Sequence, residues 1–458
     1  MKKKNVILYV SVTLILVAAF LMAGCGKGFT PEGSDWTIID ADDGGGVIWE
    51  SNEDSSKRKI TGTFVNDFTL ESDYTWYLDR MVFIGDDTAD TATTLTIQAG
   101  TTILGLGGTT PGTLVITRFS KIDAQGTADA PIVMSSAKAA GERGPGDWGG
   151  LVINGIANVN TGENNISEGN AGLYGPYIDD NDAVQYKDDD SSGTLKYVRV
   201  EYAGKIFTSE DELNGIAFQG VGSGTTVDYV QVHQNKDDGV EFFGGDVNVK
   251  HVVLTGNQDD SLDWTSGWTG TAQYVVIQHY PETGDKSIEA DNLEDNPDKT
   301  PRSDALLANF TMVGSNRTGD KPGGGCLFRR GTNATLYNAI STKTKDGKAL
   351  DETHDSGDAN SVSYYGVLVD GAAEPAGDSV FSAGAQGNAA SGTHNLPSGH
   401  KAAASGDNFT FAMQPTAAPD GTAADLSGVT GLETAGYIGA IEPGGTDWTA
   451  DWITTAQK

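Results

Sequence analysis

Residues 235–267 read NKDDGVEFFGGDVNVKHVVLTGNQDDSLDWTSG, and this stretch contains one unit twice. The eight residues from Asn235, NKDDGVEF, are followed 22 residues later by NQDDSLDW, which begins at Asn257. A short apolar segment precedes each copy, YVQV from Tyr229 and HVVL from His251, again 22 residues apart. Self-similarity at a fixed interval of about 20 to 50 residues is the sequence signature of a solenoid. The stretch therefore predicts a fold in which each unit forms one coil.

Short strands rich in β-branched residues recur outside this stretch, separated by Gly, Asn, Asp and Ser. Examples are TLTIQAGTTILG (94–105), GLVINGIANVN (150–160) and LKYVRVEYAG (195–204). Patterns of a helix of ten or more residues are nearly absent, and two or three strands per 22-residue unit leave no room for one. The sequence thus predicts an all-β fold, a β-helix, over residues 59–371. A β-propeller is disfavoured because its blades repeat at about 40 residues with Gly-His and Trp-Asp marks.

Strand alternation predicts which side chains of a coil face the core. Val230 and Val232 are expected to point inward, and Gln231 and His233 outward. Asn235 and Asn257 fall at the same turn one coil apart, where their amides can stack as an internal ladder.

Five stretches of the sequence carry a resemblance to a known group of proteins. TLTIQAGTTILG, KIDAQGTADAPIVMSS (121–136) and GDWGGLVINGIANVN (146–160) resemble the opening coils of a functionally uncharacterised group of right-handed parallel β-helix lipoproteins exported by Gram-negative bacteria. DDGVEFFGG (237–245) and the region from Tyr437 to Trp452 are similar to later parts of the same group. The resemblance implies a right-handed, pectate-lyase-like parallel β-helix and export, and it carries over no catalytic residue.

The first residues have the pattern of a targeting segment. Lys2, Lys3 and Lys4 precede an apolar run from Val6 to Ala23, and Ala-Gly stands directly before Cys25. This order predicts a lipoprotein signal peptide over 1–24 and lipidation of Cys25, the alternative being an ordinary signal peptide or membrane anchor. By resemblance, Gly26 in place of aspartate implies an outer-membrane lipoprotein, surface-exposed or periplasm-facing. Residues 25–58 are expected to form a tether.

The C-terminal part departs from the strand pattern. Residues 372–430 are rich in Ala, Gly, Ser and Thr and are predicted to be loops on the solenoid. Residues 431–458 are expected to pack back as a capping segment through Tyr437, Trp448 and Trp452, because the ends of a solenoid need cover.

Charge and cysteine content limit the function classes. The formal net charge of −33 disfavours nucleic acid and anionic surfaces as partners and attracts cations. With Cys25 acylated, Cys326 has no disulfide partner and is expected to be a small buried side chain. The six histidines show no zinc-binding spacing. The sequence leaves the oligomeric state open.

The repeated acids are the strongest candidate site. Aligning the turns brings Glu241, Asp263 and Glu289 to one outward position, although stacking of Glu289 requires extra residues in a loop. A hard cation such as Ca²⁺ prefers such oxygen ligands, so the predicted metal ligands are Asp237, Asp238, Glu241, Asp259, Asp260 and Asp263. Two alternatives stay open: a wet solenoid face that prevents aggregation, and acid/base catalysis by Glu241, Asp263 and Glu289.

Aromatic residues near the acids form the second candidate. Trp264, Trp268 and Tyr280 are predicted to bind a ligand such as a sugar ring, and Tyr202 and Phe243 lie in the same coils. A third, acidic stretch at 177–190 lacks the EF-hand spacing and is interpreted as a solvated loop.

Together these features predict a lipid-anchored β-helix that binds calcium, a glycan or another surface polymer, and favour binding over catalysis. The first alternative is a polysaccharide hydrolase or lyase, suggested only by fold analogy. Basic residues near the acidic strands are sparse, which lowers the lyase hypothesis. The second alternative is a purely structural surface protein.

Overall fold

The fold is an all-β, right-handed parallel β-helix, seen in a computed structural model. The structure describes residues 35–208, 211–280, 283–314, 324–342, 349–352, 360–370, 381, 383–397 and 411–455. Twenty-seven strands form one continuous sheet that winds into three faces. Within the described residues only two 3₁₀ turns are helical, Ala89–Thr91 and Glu168–Asn170, and none is long and apolar enough to cross a membrane.

The three faces are parallel stacks in which each strand pairs with its equivalent in the next coil. Strands confined to the first face are β4 (Phe68–Leu70), β6 (Thr94–Ile97), β9 (Lys121–Gln125), β28 (Asn333–Tyr337) and β31 (Ser361–Tyr365). Strands confined to the second are β7 (Thr102–Gly105), β10 (Ile132–Ser136), β29 (Ile340–Thr342), β32 (Leu368–Asp370) and β33 (Ala389–Gly392). The third consists of β8 (Thr113–Ile116), β11 (Gly150–Asn154), β19 (Ile216–Val221), β21 (Val240–Gly245), β23 (Leu262–Thr265), β25 (Ile288–Ala290), β27 (Cys326–Phe328) and β30 (Leu350–Glu352).

Seven long strands pass from one face to the next. Those shared by the first and second faces are β16 (Gly193–Glu201), β20 (Thr226–His233), β22 (Asn248–Thr255), β24 (Thr271–Gln278) and β26 (Asp304–Val313). Those shared by the second and third are β3 (Lys57–Phe64) and β5 (Thr75–Ile84).

An aromatic ladder marks the bend between the first and second faces. Tyr197, Tyr229, His251 and Tyr274 occupy the bend of successive coils, each with φ between 49° and 60°. A left-handed backbone is unfavourable for bulky residues. The rings stack from coil to coil at 4.4, 4.3 and 4.8 Å between centroids, and these contacts offset part of that cost.

The core follows the predicted strand register. Val230 pairs with Val252 and Val232 with Leu254 in neighbouring coils, and all four lie in the main hydrophobic cluster. Asn235 and Asn257 lie at the same turn of successive coils, as predicted, and the backbone N–H of Asn235 donates to Oδ1 of buried Asn257 at 3.2 Å. The side-chain amide of Asn235 donates instead to the carbonyl of Asp238, so the two amides do not form a ladder with each other. Cys326 is buried in the same core, as expected.

The ends of the β-helix differ from the sequence prediction. Residues 35–58, expected to be part of a tether, contain β1 (Trp36–Ala41) and β2 (Val47–Ser51), and β2 pairs antiparallel with β3. At the other end β33 pairs with β32, so the solenoid extends past residue 371 into the segment predicted to be loops. Both errors come from strands whose alternation is too weak to recognise locally.

The C-terminal segment packs along the flank of the β-helix and not over an end. Its residues 424–454, here called the strap, run beside the aromatic ladder, and Trp452 contacts Tyr197 and Tyr229 edge-on. Side chains from the ladder's own coils bind the strap backbone; Gln231, for example, accepts from Thr454 N at 2.8 Å and donates to its carbonyl at 2.7 Å. Gln231 and His233 therefore point away from the core as predicted, yet both are buried.

Three short hairpins project from the coils between β11 and β19. They are β12–β13 (Asn165–Ile166 with Leu173–Tyr174), β14–β15 (Tyr177–Ile178 with Val184–Gln185) and β17–β18 (Lys205–Thr208 with Asp211–Leu213). The acidic stretch at 177–190 thus holds β14–β15, and is not a loop throughout.

Candidate acidic cleft

Most of the repeated acids face one cleft of about 340 Å³, formed where the chain enters the third face. All six predicted metal ligands line it, together with Glu289. The complete lining is Glu168, Glu212, Asp237, Asp238, Glu241, Phe243, Asp259, Asp260, Asp263, Thr265, Glu289, Asp291, Arg329 and Arg330. We call it the acidic cleft.

The strands of the third face set one row of carboxylates. Glu241 on β21 is in register with Asp263 on β23, and Asp263 with Glu289 on β25. Glu289 therefore stacks with the other two, and the longer interval before it is taken up outside the strands. The row ends at Leu327, the next residue in register.

A second row occupies the turn that precedes these strands. Oδ1 of Asp238 accepts a hydrogen bond from the backbone N–H of Asp260 at 2.8 Å, and Oδ1 of Asp260 accepts from the N–H of Lys286. Asp238 and Asp260 are only 8% and 6% exposed. In the third coil a lysine replaces the aspartate, and its ammonium contacts the neighbouring Asp285. The repeated acids thus form partly buried rows, and the hypothesis of a fully wet face does not describe them.

Positive side chains neutralise one end of the cleft. Arg329 donates to Glu289 and to Asp291, the latter at 2.8 Å, and Arg330 donates to Asp291 at 2.7 Å. At the opposite end the side chain of Asn214 donates to Oε2 of Glu241 at 2.6 Å.

Three acids in the middle of the cleft lack such counter-ions. Within the part of the chain that the structure describes, no lysine or arginine forms an ion pair with Asp238, Glu241 or Asp263. Their ligand oxygens lie within 4.8 Å of one another. Two overlapping trios have the same spacing: Asp260, Asp263 and Glu289, and Asp259, Asp260 and Asp285.

The electrostatics follow from this arrangement. Burial raises the pKa of Asp238, Glu241, Asp260 and Asp263 well above the usual carboxyl range, and repulsion between neighbouring acids raises it further. Burial, reinforced by the charge of Asp237, raises the pKa of Glu168 to about 8. The arrangement therefore favours a retained proton or a bound cation over a cluster of ionised carboxylates.

The repeat in the sequence does not predict several of the cleft residues. Glu168 and Glu212 come from the first and third hairpins, which have no counterpart in the repeat. Arg329 and Arg330 follow β27, one coil beyond Glu289 on β25. Asp291 does follow from the strand pattern, because it lies two residues after Glu289 on the same side of a strand end.

The predicted aromatic ligand residues are wrong. Trp264 and Trp268 are 0% exposed and Tyr280 is 7% exposed. Trp264 alternates in phase with inward Leu262, and Trp268 stacks on Phe242 at 4.1 Å inside the core. Tyr280 packs edge-on against His233. Tyr202 and Phe243 are buried as well, although Phe243 reaches the cleft lining.

Comparison with known proteins gives one match. A family model described as a pectate-lyase like beta helix domain matches residues 62–395. No curated protein and no solved structure matches the chain.

Proposed function

The chain belongs to the pectate-lyase-like β-helix domain family, and on that premise we propose that it is a binding protein whose acidic cleft takes up a divalent cation, with calcium preferred. The family fits a polysaccharide-related role in broad terms. A glycan or another surface polymer as second ligand rests on the family alone, because the aromatic residues predicted to contact it are buried.

One observation carries the cation proposal. Oδ1 of Asp263 is buried and accepts no hydrogen bond from the described residues, although it lies among the oxygens of Asp238 and Glu241. A buried carboxylate oxygen without a partner is costly. Calcium binds its oxygen ligands at about 2.3 to 2.6 Å, so two ligands on opposite sides of one ion are about 5 Å apart. The observed spacing within 4.8 Å suits one ion shared by the three carboxylates.

The ligand set favours calcium over other metals. The trio offers carboxylate oxygens alone, with no cysteine or histidine among them. Such oxygens suit Mg²⁺, Ca²⁺ and Mn²⁺ more than Zn²⁺ or Cu²⁺. Mg²⁺ requires near-ideal octahedral geometry and gives up water reluctantly, whereas Ca²⁺ accepts an irregular cage. The carboxylates of the two rows are spaced by the stacking of the strands that carry them. This spacing favours Ca²⁺, which tolerates an irregular arrangement of ligands.

Calorimetric titration with CaCl₂ tests the proposal. We expect wild-type protein to bind and Glu241→Gln/Asp263→Asn to lose binding by at least about a hundredfold, because two charged ligands become neutral. Asp180→Asn/Asp182→Asn is the matched control, since it removes two carboxylates from the exposed tip of the second hairpin. Equal binding by the cleft variant, or equal loss in the control, would show that calcium binds elsewhere or only through net charge.

Hydrolysis of a polysaccharide is the second candidate, and the pKa of Glu168 favours it. A carboxyl group with a pKa of about 8 carries its proton at neutral pH and can act as a general acid. Stacked carboxylates about 5 Å apart also suit a retaining glycosidase. Reducing ends released from a polysaccharide by wild-type protein, and not by Glu168→Gln, would favour hydrolysis over binding.

We also propose a lipid anchor at Cys25, which lies outside the described residues. Cys25→Ser is expected to release the protein from the membrane fraction, because each buried CH₂ of an acyl chain contributes about 0.8 kcal/mol to anchoring. Cell fractionation with immunodetection measures this, and Cys326→Ser is the control because its thiol is buried in the core. A Cys25→Ser protein that stays in the membrane would indicate an uncleaved helical anchor.

A further inference from the structure

Large exposed apolar side chains are concentrated on the three hairpins. Among the described residues, every exposed large apolar side chain outside β1 lies on one of these hairpins or directly after β15. They are Ile166 (70% exposed), Ile178 (45%), Val184 (52%), Tyr186 (53%), Ile206 (42%) and Phe207 (36%). We call this set the hairpin surface. Apolar residues gathered in this way on a soluble protein mark an interaction site more often than scattered ones do.

The hairpins form neighbouring parts of one surface. In the second hairpin Ile178 is directly opposite Val184, and Tyr186 follows two residues later, on the same side of an extended chain. The N–H of Gly169 in the first hairpin donates to Asp211 of the third at 2.5 Å. The second hairpin follows the first directly in the chain, after Pro176, whose carbonyl accepts from the N–H of Asn164 at the base of the first hairpin at 2.8 Å.

The third hairpin adds an aromatic ring to this surface. A Cβ atom placed on Gly169 would lie 3.0 Å from Cε2 of Phe207. The ring therefore closes over the glycine of the first hairpin and leaves about a third of its area exposed.

The charge around the apolar groups identifies the kind of partner. The described hairpin residues include only one basic side chain, Lys205. Their acidic side chains are Glu168, Asp179, Asp180, Asp182, Asp211 and Glu212. Such a surface repels a second copy of this chain, an anionic membrane and nucleic acid. Charge complementarity and apolar area are both satisfied by a basic chain that also carries apolar side chains.

We propose that the hairpin surface docks a basic polypeptide segment with aliphatic or aromatic side chains. Its apolar side chains cover Ile178, Val184 and Tyr186, and its lysines or arginines face the acids of the same hairpins. Glu168 and Glu212 also line the acidic cleft, whereas Asp179, Asp180 and Asp182 of the second hairpin do not. The acids beside Ile178, Val184 and Tyr186 are therefore separate from the cleft. The proposal does not depend on cation binding.

Fluorescence anisotropy with three synthetic peptides of equal length tests the proposal: Lys/Leu, Lys/Ser and Glu/Leu. Wild-type protein is expected to bind Lys/Leu about tenfold or more tighter than Lys/Ser, and Glu/Leu least. Ile178→Ser/Val184→Ser/Tyr186→Ser removes apolar area without changing charge and should abolish the preference for Lys/Leu. Ile38→Ser/Ile39→Ser, which removes exposed apolar groups from β1, is the matched control and should keep it.

Measurement with saturating calcium and again with a chelator separates the hairpin surface from the cleft, because only cleft binding should change. If the triple variant fails to fold, Tyr186→Ser alone replaces it, since this side chain lies outside the paired strands. Equal binding of Lys/Leu and Lys/Ser would overturn the proposal, because charge alone would then account for binding. Dimerisation of the protein, or partition into zwitterionic phosphatidylcholine vesicles, that is lost in the triple variant would overturn it in favour of another occupant.

Discussion

Val232→Asp is expected to leave the protein unfolded. Val232 is fully buried and lies in register between Val200 and Leu254 of the adjoining coils. An ionised carboxylate there has no partner, and the cost of several kcal/mol is comparable with the 5 to 15 kcal/mol that usually separates folded from unfolded protein. Because each coil of a solenoid is stabilised by its neighbours, the damage spreads beyond one coil. Far-UV circular dichroism and thermal unfolding measure the outcome.

Two substitutions serve as controls for Val232→Asp. Thr69→Asp places the same charge at an exposed position of β4 and should change the unfolding free energy by less than about 0.5 kcal/mol. Val232→Ala should fold and lose about 2 kcal/mol. A cooperative unfolding transition of Val232→Asp at the wild-type temperature would show that the strand register is wrong.

The outward neighbour Gln231 is not a neutral site. Strand alternation alone predicts that Gln231→Asp is tolerated. In the structure this side chain both donates to and accepts from Thr454, so the substitution removes the donor that the carbonyl of Thr454 requires.

Without calcium, the stability of the protein is expected to fall as the pH rises from about 4.5 to about 8. The buried acids have folded-state pKa values above the unfolded values of about 3.9 to 4.3. In this window the folded protein therefore binds more protons than the unfolded chain, and the unfolding free energy decreases with increasing pH. The upper limit comes from Glu168, whose pKa is raised to about 8. The total loss is on the order of a few kcal/mol.

His279 acts in the opposite direction over the lower part of this range. Burial lowers its pKa to about 4, so below about 6.5 the unfolded chain binds the extra proton and stability increases with pH. The decrease caused by the acids is consequently clearest between pH 6.5 and 8. Thermal midpoints in a chelator at pH 6.5, 7.25 and 8 measure it.

Calcium should remove most of this dependence, because the bound ion stabilises the ionised carboxylates. Glu241→Gln/Asp263→Asn should make the pH profile in the chelator less steep, leaving the contribution of Glu168, and should abolish the response to calcium. A thermal midpoint that increases over this range in the chelator would contradict the assigned direction of the pKa shifts. A calcium response retained by the double variant would argue against the cation proposal.

The repeat made the fold and half of the cleft predictable. A 22-residue interval places Glu241 beside Asp263 and Val230 beside Val252 whatever the loops do, because parallel strands in register have fixed spacing. The register of Glu289 became certain only with the structure, since extra residues precede it. Glu168 lies on a hairpin that has no counterpart in the repeat, so the repeat does not define its position. The residues around Glu168 in the sequence do not indicate that it contacts the cleft.

The aromatic residues show a second limit. Tryptophan side chains such as those of Trp264 and Trp268 can stack on sugar rings, but the core of a coil also contains large side chains. The alternation of inward and outward side chains along the strand decides between these two roles. For Trp264 this alternation follows from Leu262, which lies two residues earlier and faces inward, and it is a stronger guide than residue type. His233 is a different case, because the residues that cover it come from segments far away in the chain, including Tyr280.

The strap also determines an order of assembly. A chain synthesised from its N-terminus can add one coil at a time, since each coil needs only the edge left by the coil before it. Residues 424–454 follow all the coils they touch, and their partners from Arg199 to Asn338 must already be aligned before the strap can form its hydrogen bonds. The stacked rings therefore stay in contact with water until residues 424–454 dock, and the strap can cover them only after the coils beneath it have formed.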